Sequence, residues 1–175
     1  MLRKYIPNGI YSYKSSALTG LSYRLTYIFD ISNIYKGFSL YTDKIIMIKK
    51  IALICLENKK LLAVHKKTID LYISPGGKIE KNESDLECLN REIMEELGCK
   101  VFNTSYFKTF FGYTHEDKEL ELICYSGKLN GEIRLNPIDS IDDYLWIGKN
   151  YNKNLKLASL LKHQIIPILV NKKLM

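Results

Sequence analysis

Apolar and polar positions first organise the chain from residue 48 onward. Lys50–Glu57 and Leu61–Lys66 are apolar runs separated by the polar break Asn58-Lys59-Lys60, which predicts a β-hairpin. Leu71–Ser74 is a short strand stopped by Pro75-Gly76-Gly77, a strong breaker. Asn82–Leu97 carries apolar residues at 86, 89, 93 and 97, the period of an amphipathic helix, and Gly98 stands where a left-handed cap is expected. Val101–Tyr113 and Glu119–Leu129 alternate or are rich in aromatics and predict strands, with Leu120, Leu122 and Cys124 on one face. Asp143–Ile147 predicts another strand, and Leu155–Val170 a closing helix bent or ended near Pro167. Strands, one long helix, more strands and a terminal helix describe a mixed α/β (α+β) sandwich.

Residues 1–46 are different. They hold 7 of the 13 tyrosines, six basic residues and two acids, Asp30 and Asp43, with no sustained period. Three readings stand: a subdomain with a strand pair within Ile31–Tyr41, a targeting extension, or a gene start placed too early, with Met47 the working start. The last two are favoured, which divides the chain into an extension over 1–46 and a domain over 47–175.

The 175 residues suit one domain with a short extension, and 46% hydrophobic with 26% charged residues supplies a real core. No apolar run approaches the roughly 18 residues that span a bilayer, so no membrane association is expected. Cys55, Cys88, Cys99 and Cys124 show no CxxC spacing, which predicts reduced thiols in a cytoplasmic setting rather than disulfides or a zinc site. The net charge of +7 raises nucleic acid as a partner, but Lys outnumbers Arg 22 to 4, a compositional bias rather than a phosphate-reading surface. No stable nucleic-acid binding is expected.

The chemistry concentrates between Gly76 and Cys99, where seven acids face three basic residues. At about 100° per residue, Glu92, Glu95 and Glu96 fall within one arc of the helix, and Leu86, Leu89, Ile93 and Leu97 occupy the adjacent one. Carboxylates at i, i+3 and i+4 repel, and divalent cations bound through oxygen are the obvious offset. A solvated acidic face is the bland alternative. The Gly76-Gly77 turn, which lets backbone approach an ion, favours the metal, as do Glu83 at the helix start and Arg91, which can clamp a carboxylate.

Gly77-x5-Glu83-x7-Arg91-Glu92-Ile93-x-Glu95-Glu96-x-Gly98-Cys99 resembles the complete signature of the Nudix hydrolases. With Leu61-Leu-Ala-Val, Ser74-Pro-Gly-Gly-Lys-Ile-Glu and Asp142-Asp-Tyr-Leu-Trp-Ile, about residues 48–170 resemble a compact MutT-like domain of that family. The resemblance implies an α/β/α sandwich with a mixed sheet, whose signature forms a loop–helix–loop. It implies cleavage of a nucleoside diphosphate linked to another moiety, with Mg2+ or Mn2+. Glu92, Glu95 and Glu96 take the metal-ligand and catalytic positions, with the Gly76 carbonyl a further ligand. Gly77, Glu83, Arg91 and Gly98 hold the loop–helix–loop together. The general base stays open among Glu95, Glu96, Glu116, Asp139, Asp142 and Asp143.

Substrate choice is less determined. No proline lies between Pro75 and Pro137, which argues against the ADP-ribose branch, and Tyr113 invites comparison with dinucleoside polyphosphate hydrolases. A (d)NTP, cleaved to the monophosphate and pyrophosphate in nucleotide sanitation, is the favoured substrate. Dinucleoside polyphosphate or nucleotide-sugar hydrolysis, a non-catalytic Nudix sensor and an isoprenyl diphosphate isomerase are the alternatives. Tyr72, Phe110, Phe111 and Tyr113 can stack on a base, although strand aromatics more often serve the core. His115 and Asp142 are further contacts to substrate. His65, His163 and Trp146 read as structural, and the chain as a monomer or homodimer.

Overall fold

The structure is a computed structural model that describes residues 5–6, 10–16, 22–28, 41–44, 47–136 and 140–175. It divides into two compact units, Met1–Met47 and Ile48–Met175. The first contains β1 (Tyr5–Ile6), β2 (Ile10–Ser16), β3 (Ser22–Ile28) and β4 (Tyr41–Lys44), an antiparallel sheet in sequence order. Tyr11 registers with Tyr27 and Tyr13 with Leu25. Tyrosine takes alternate positions that aliphatic residues usually hold, so hydropathy shows no clear period here. The strand pair expected within Ile31–Tyr41 lies outside the described residues except for Tyr41, the first residue of β4.

The second unit opens with the hairpin of β5 (Ile48–Glu57) and β6 (Lys60–Lys66). Asn58 and Lys59 both adopt positive φ, 48° and 60°, the backbone that a two-residue turn needs to match strand twist. The two strands pair only at Leu56↔Leu61 and Glu57↔Lys60, so the hairpin opens beyond its turn. β5 continues parallel to β9 (Glu119–Asn130), which pairs antiparallel with β8 (Lys100–Tyr113). β6 pairs antiparallel with β10 (Ile141–Ile147) and with the short β7 (Leu71–Ile73). The result is a mixed sheet.

Two hydrophobic layers cover its faces. On β5, Ile51, Leu53 and Cys55 enter one layer with Leu89, Ile93 and Leu97, while Ala52 and Ile54 enter the other with Leu160, Leu161 and Leu169. Burial on both faces explains why β5 and β6 read as unbroken apolar runs. Each fully buried Leu or Ile contributes about 1.5–3 kcal/mol of transfer free energy.

The first layer belongs to α1 (Asp85–Leu97), which starts three residues later than its period suggests. Asn82 is left-handed at φ 66°, and Ser84 caps the helix, its side chain reciprocated by Glu87. Gly98 ends it in the left-handed region at φ 63°. Leu86, expected in the buried arc, is 43% exposed because it lies in the first turn, before the helix meets the sheet; Cys88 is buried in its place.

The closing helix departs further from expectation. Leu157 instead forms a bridge to Tyr72, and helical backbone begins only at Ser159. A π-turn over Leu161–Ile165 then precedes α2 (Ile166–Asn171). Pro167 has no N–H and its ring crowds the carbonyl four residues back, which the wider π-turn accommodates. Among the described residues no helix is long and apolar enough to cross a membrane.

Candidate functional site

α1 and the Pro75–Lys78 loop build the site between them. The loop lies against β5: Ile51 N–H donates to the Gly77 carbonyl at 2.8 Å and Leu53 N–H to the Pro75 carbonyl at 2.8 Å. Lys50 and Lys78 complete the contact as an antiparallel bridge. Two glycines are needed. Gly76 has φ 133°, and a Cβ there would stand 2.3 Å from the Ile51 carbonyl oxygen. A Cβ on Gly77 would stand 2.1 Å from the Glu92 carboxylate. Gly76 thus makes room for the β5 backbone, and Gly77 for that acid.

The three acids do not share one solvated face. Glu96 is 4% exposed, and its Oε2 accepts the Gly76 N–H at 2.9 Å. Helical rotation places it about 20° from Leu89, at the edge of the buried stripe that faces Glu92. Glu92 is half-buried, and Glu95 is exposed. Arg91 organises the rest. Its Nε and Nη2 grip the Glu83 carboxylate at 2.7 and 2.9 Å, and Nη2 also donates to the Lys78 carbonyl at 3.2 Å. Its Nη1 reaches Glu92 at 2.9 Å and Glu95 at 3.2 Å. The Arg91 hydrogen bonds hold Glu83 down at about 2, and Glu83 foremost raises Arg91. Arg91 therefore joins the loop, the residue before the helix cap and two of the acids.

Among the described residues, no three His, Cys, Asp or Glu side chains stand ready to hold a metal ion. The Arg91 and Gly76 contacts already engage Glu92, Glu95 and Glu96. The donor set nevertheless fits a hard divalent cation: three carboxylates beside a backbone loop, with no sulfur or imidazole among them. Ser74 Oγ, just before the loop, is buried without a hydrogen-bond partner among the described residues.

The other expected contacts do not form one cluster. Tyr72 and Asp142 belong to a polar group around His65, whose Nδ1 meets Asp142 at 2.6 Å and whose Nε2 meets Asp70 at 3.2 Å. Tyr72 donates its hydroxyl to Asp143 at 2.5 Å, and burial, reinforced by Asp143, pushes it up to about 12. Phe111 and Tyr113 are 60% and 53% exposed on β8, opposite Glu121 and Glu119, while Phe110 is buried opposite Leu122. Alternation thus sends Phe110 to one face of the sheet and Phe111 with Tyr113 to the other. His115 and Glu116 occupy the turn after β8, where Lys118 pairs with Glu116. Asp139 lies outside the described residues. Trp146 packs against the layer beneath α1, and His163 is exposed on the π-turn.

Sequence reasoning missed Lys50. This half-buried residue feels the charges of Glu92, Glu96, Glu116 and Lys66, and burial lowers its pKa. No spacing signal distinguishes it among 22 lysines. All four cysteines are free and buried, and burial raises their thiols, Cys88 and Cys124 to about 12. They are packing residues.

A mixed sheet between helical layers, with a capped acidic helix docked on a Gly-Gly loop, defines the class: a Nudix-type sandwich. The chain belongs to the Nudix family, its residues 47–162 matching the NUDIX domain. It is 33% identical over 59 residues to an 8-oxo-dGTP diphosphatase of Buchnera aphidicola, a match covering 34% of this chain and 47% of that protein. It is 30% identical over 105 residues to the m7GpppN-mRNA hydrolase of Saccharomyces cerevisiae, covering 55% of this chain and 11% of that one. The chain thus spans less than half the length of these curated relatives. A MutT protein from Methanosarcina mazei shares the fold with a TM-score of 0.61 at 16% identity, covering 73% of this chain and 95% of that one.

Proposed function

We propose that this chain is a pyrophosphohydrolase that cleaves a nucleoside diphosphate-X substrate with a divalent cation, Mg2+ or Mn2+. The favoured substrate is a (d)NTP, cleaved to the monophosphate and pyrophosphate. The observation that carries the reading is the arrangement of Glu92, Glu95 and Glu96 beside the Gly76-Gly77 loop, the first two held by Arg91 and the third by the Gly76 N–H. The three acids would hold the cation, with the Gly76 carbonyl as a further donor. When bound, it would supply charge neutralisation for the polyphosphate and acidify a water.

The chain's own residues supply positioning. Arg91 keeps Glu83 through Nε and Nη2, so its Nη1 can release Glu92 and Glu95 without dismantling the loop. Glu96 stays fixed by the Gly76 N–H. The most exposed of the three acids, Glu95, is placed to accept a proton from water, whereas Glu116 on the turn after β8 is already paired with Lys118. Asp142 and Asp143 are less suited, being engaged by His65 and Tyr72.

The likeness to the Buchnera 8-oxo-dGTP diphosphatase supports the (d)NTP reading. The likeness to the yeast mRNA hydrolase, which covers more of this chain, favours a second reading in which the diphosphate carries a 5′ cap. A chromatographic screen of nucleoside monophosphate release, with Mg2+ or Mn2+, over (d)NTPs, dinucleoside polyphosphates, nucleotide sugars and cap dinucleotide separates them. Release from a (d)NTP above all others is expected. Release from none of them contradicts the hydrolase reading.

A further inference from the structure

We propose that Lys50 receives the polyphosphate chain of the ligand beside the carboxylate site, an inference that rests on the nucleotide reading above. Its backbone is pinned to the loop by the Lys50–Lys78 bridge and the adjoining Ile51 N–H to Gly77 bond at 2.8 Å. Strand register sets Lys50 beside Leu122, which lies opposite Phe110, on the face that carries Ala52 and Ile54. The side chain therefore ends an apolar strip where it meets the acidic loop and helix.

The neighbouring Lys49 points to the other face and pairs with Glu121 at 3.2 Å. Lys50, half-buried, forms no salt bridge with any described residue, although Glu92, Glu96 and Glu116 all act on its charge. Lys66 also acts on it, so two cations persist near one another despite their repulsion. A half-buried ammonium without a salt-bridge partner among the described residues is costly. A ligand bearing several negative charges, drawn toward a patch of carboxylates, needs such a cation to offset their repulsion. Lysine suits this role, as a compact charge that meets phosphate without a fixed hydrogen-bond plane.

The test is calorimetric binding of inorganic tripolyphosphate with Mg2+ to the full chain, its Lys50→Met variant and its Lys50→Arg variant. Thermal melting and steady-state kinetics accompany it. Lys50→Met is expected to weaken tripolyphosphate binding about tenfold and to melt no lower than the wild type, and Lys50→Arg to recover most of the affinity. For a turned-over nucleotide the loss should appear in KM more than in kcat. Wild-type affinity in Lys50→Met overturns the inference, as does no tripolyphosphate binding by the wild type, or a loss that Lys50→Arg fails to restore. Lys50-dependent binding without turnover of any nucleotide upholds the inference and removes the hydrolase reading. Turnover with unchanged affinity in Lys50→Met does the reverse.

Discussion

Glu96 shows how one residue type answers two demands. It is buried on the side of α1 that packs on the sheet, and the Gly76 N–H supplies a hydrogen bond that its carboxyl group requires there. Spacing marks Glu92, Glu95 and Glu96 as a set, but their unequal burial was not legible, because a glutamate at the edge of an apolar stripe reads as surface until the packing is known. Glu92 depends on an absent atom, the Cβ of residue 77. Gly77→Ala must displace the Glu92 carboxylate, and turnover should fall by about tenfold or more, as expected when a reacting group is misplaced by around an ångström. Retention of wild-type kcat in that variant would show that Glu92 has room to move without consequence.

Elements were legible where backbone chemistry is local. The hairpin, the Gly98 cap and the strands after α1 follow from runs, breakers and period. The closing helix was not, because the apolar spacing of 155–170 gives no sign of the Tyr72–Leu157 bridge or of the π-turn ahead of Pro167. The turn between β5 and β6 offers a direct test. Lys59 sits at φ 60°, a costly conformation for a residue with a Cβ, so Lys59→Gly should raise stability by roughly 0.5–1 kcal/mol in chemical denaturation. A loss would mean that the Lys59 side chain stabilises the turn.

His65 ties β6 to β10 through Asp142 and to the turn after β6 through Asp70. The Asp142 hydrogen bond, opposed by burial and aided by Asp70, raises His65 above 6.5. A raised folded pKa contributes stability that is complete below the unfolded pKa and disappears as pH rises through the folded one. Melting of wild type and His65→Gln from pH 5 to 9 should show their difference narrowing as pH increases. A gap that widens with pH would contradict the sign.

The whole molecule resolves its charge into parts. Gly76–Cys99 carries a net −4, so the remainder of the chain carries +11, and residues 1–46 supply +4 of that. An acidic patch on a basic body suits capture of polyphosphate more than a nucleic-acid footprint, since opposite potentials draw the ligand toward the site. The family and the sandwich were legible because the signature is long and local. Lys50 was not, since only the fold brings β5 beside the loop.

The most direct test measures hydrolysis of a (d)NTP panel by wild type and Glu96→Gln, each with Mg2+, with Mn2+ and with excess chelator. Glutamine keeps an acceptor for the Gly76 N–H, so the variant should melt close to the wild type. Wild-type turnover that needs the divalent cation, and falls by about 10³-fold or more in Glu96→Gln, is the expected result. Undiminished turnover in a folded Glu96→Gln variant, or turnover unaffected by the chelator, would contradict chemistry at these carboxylates.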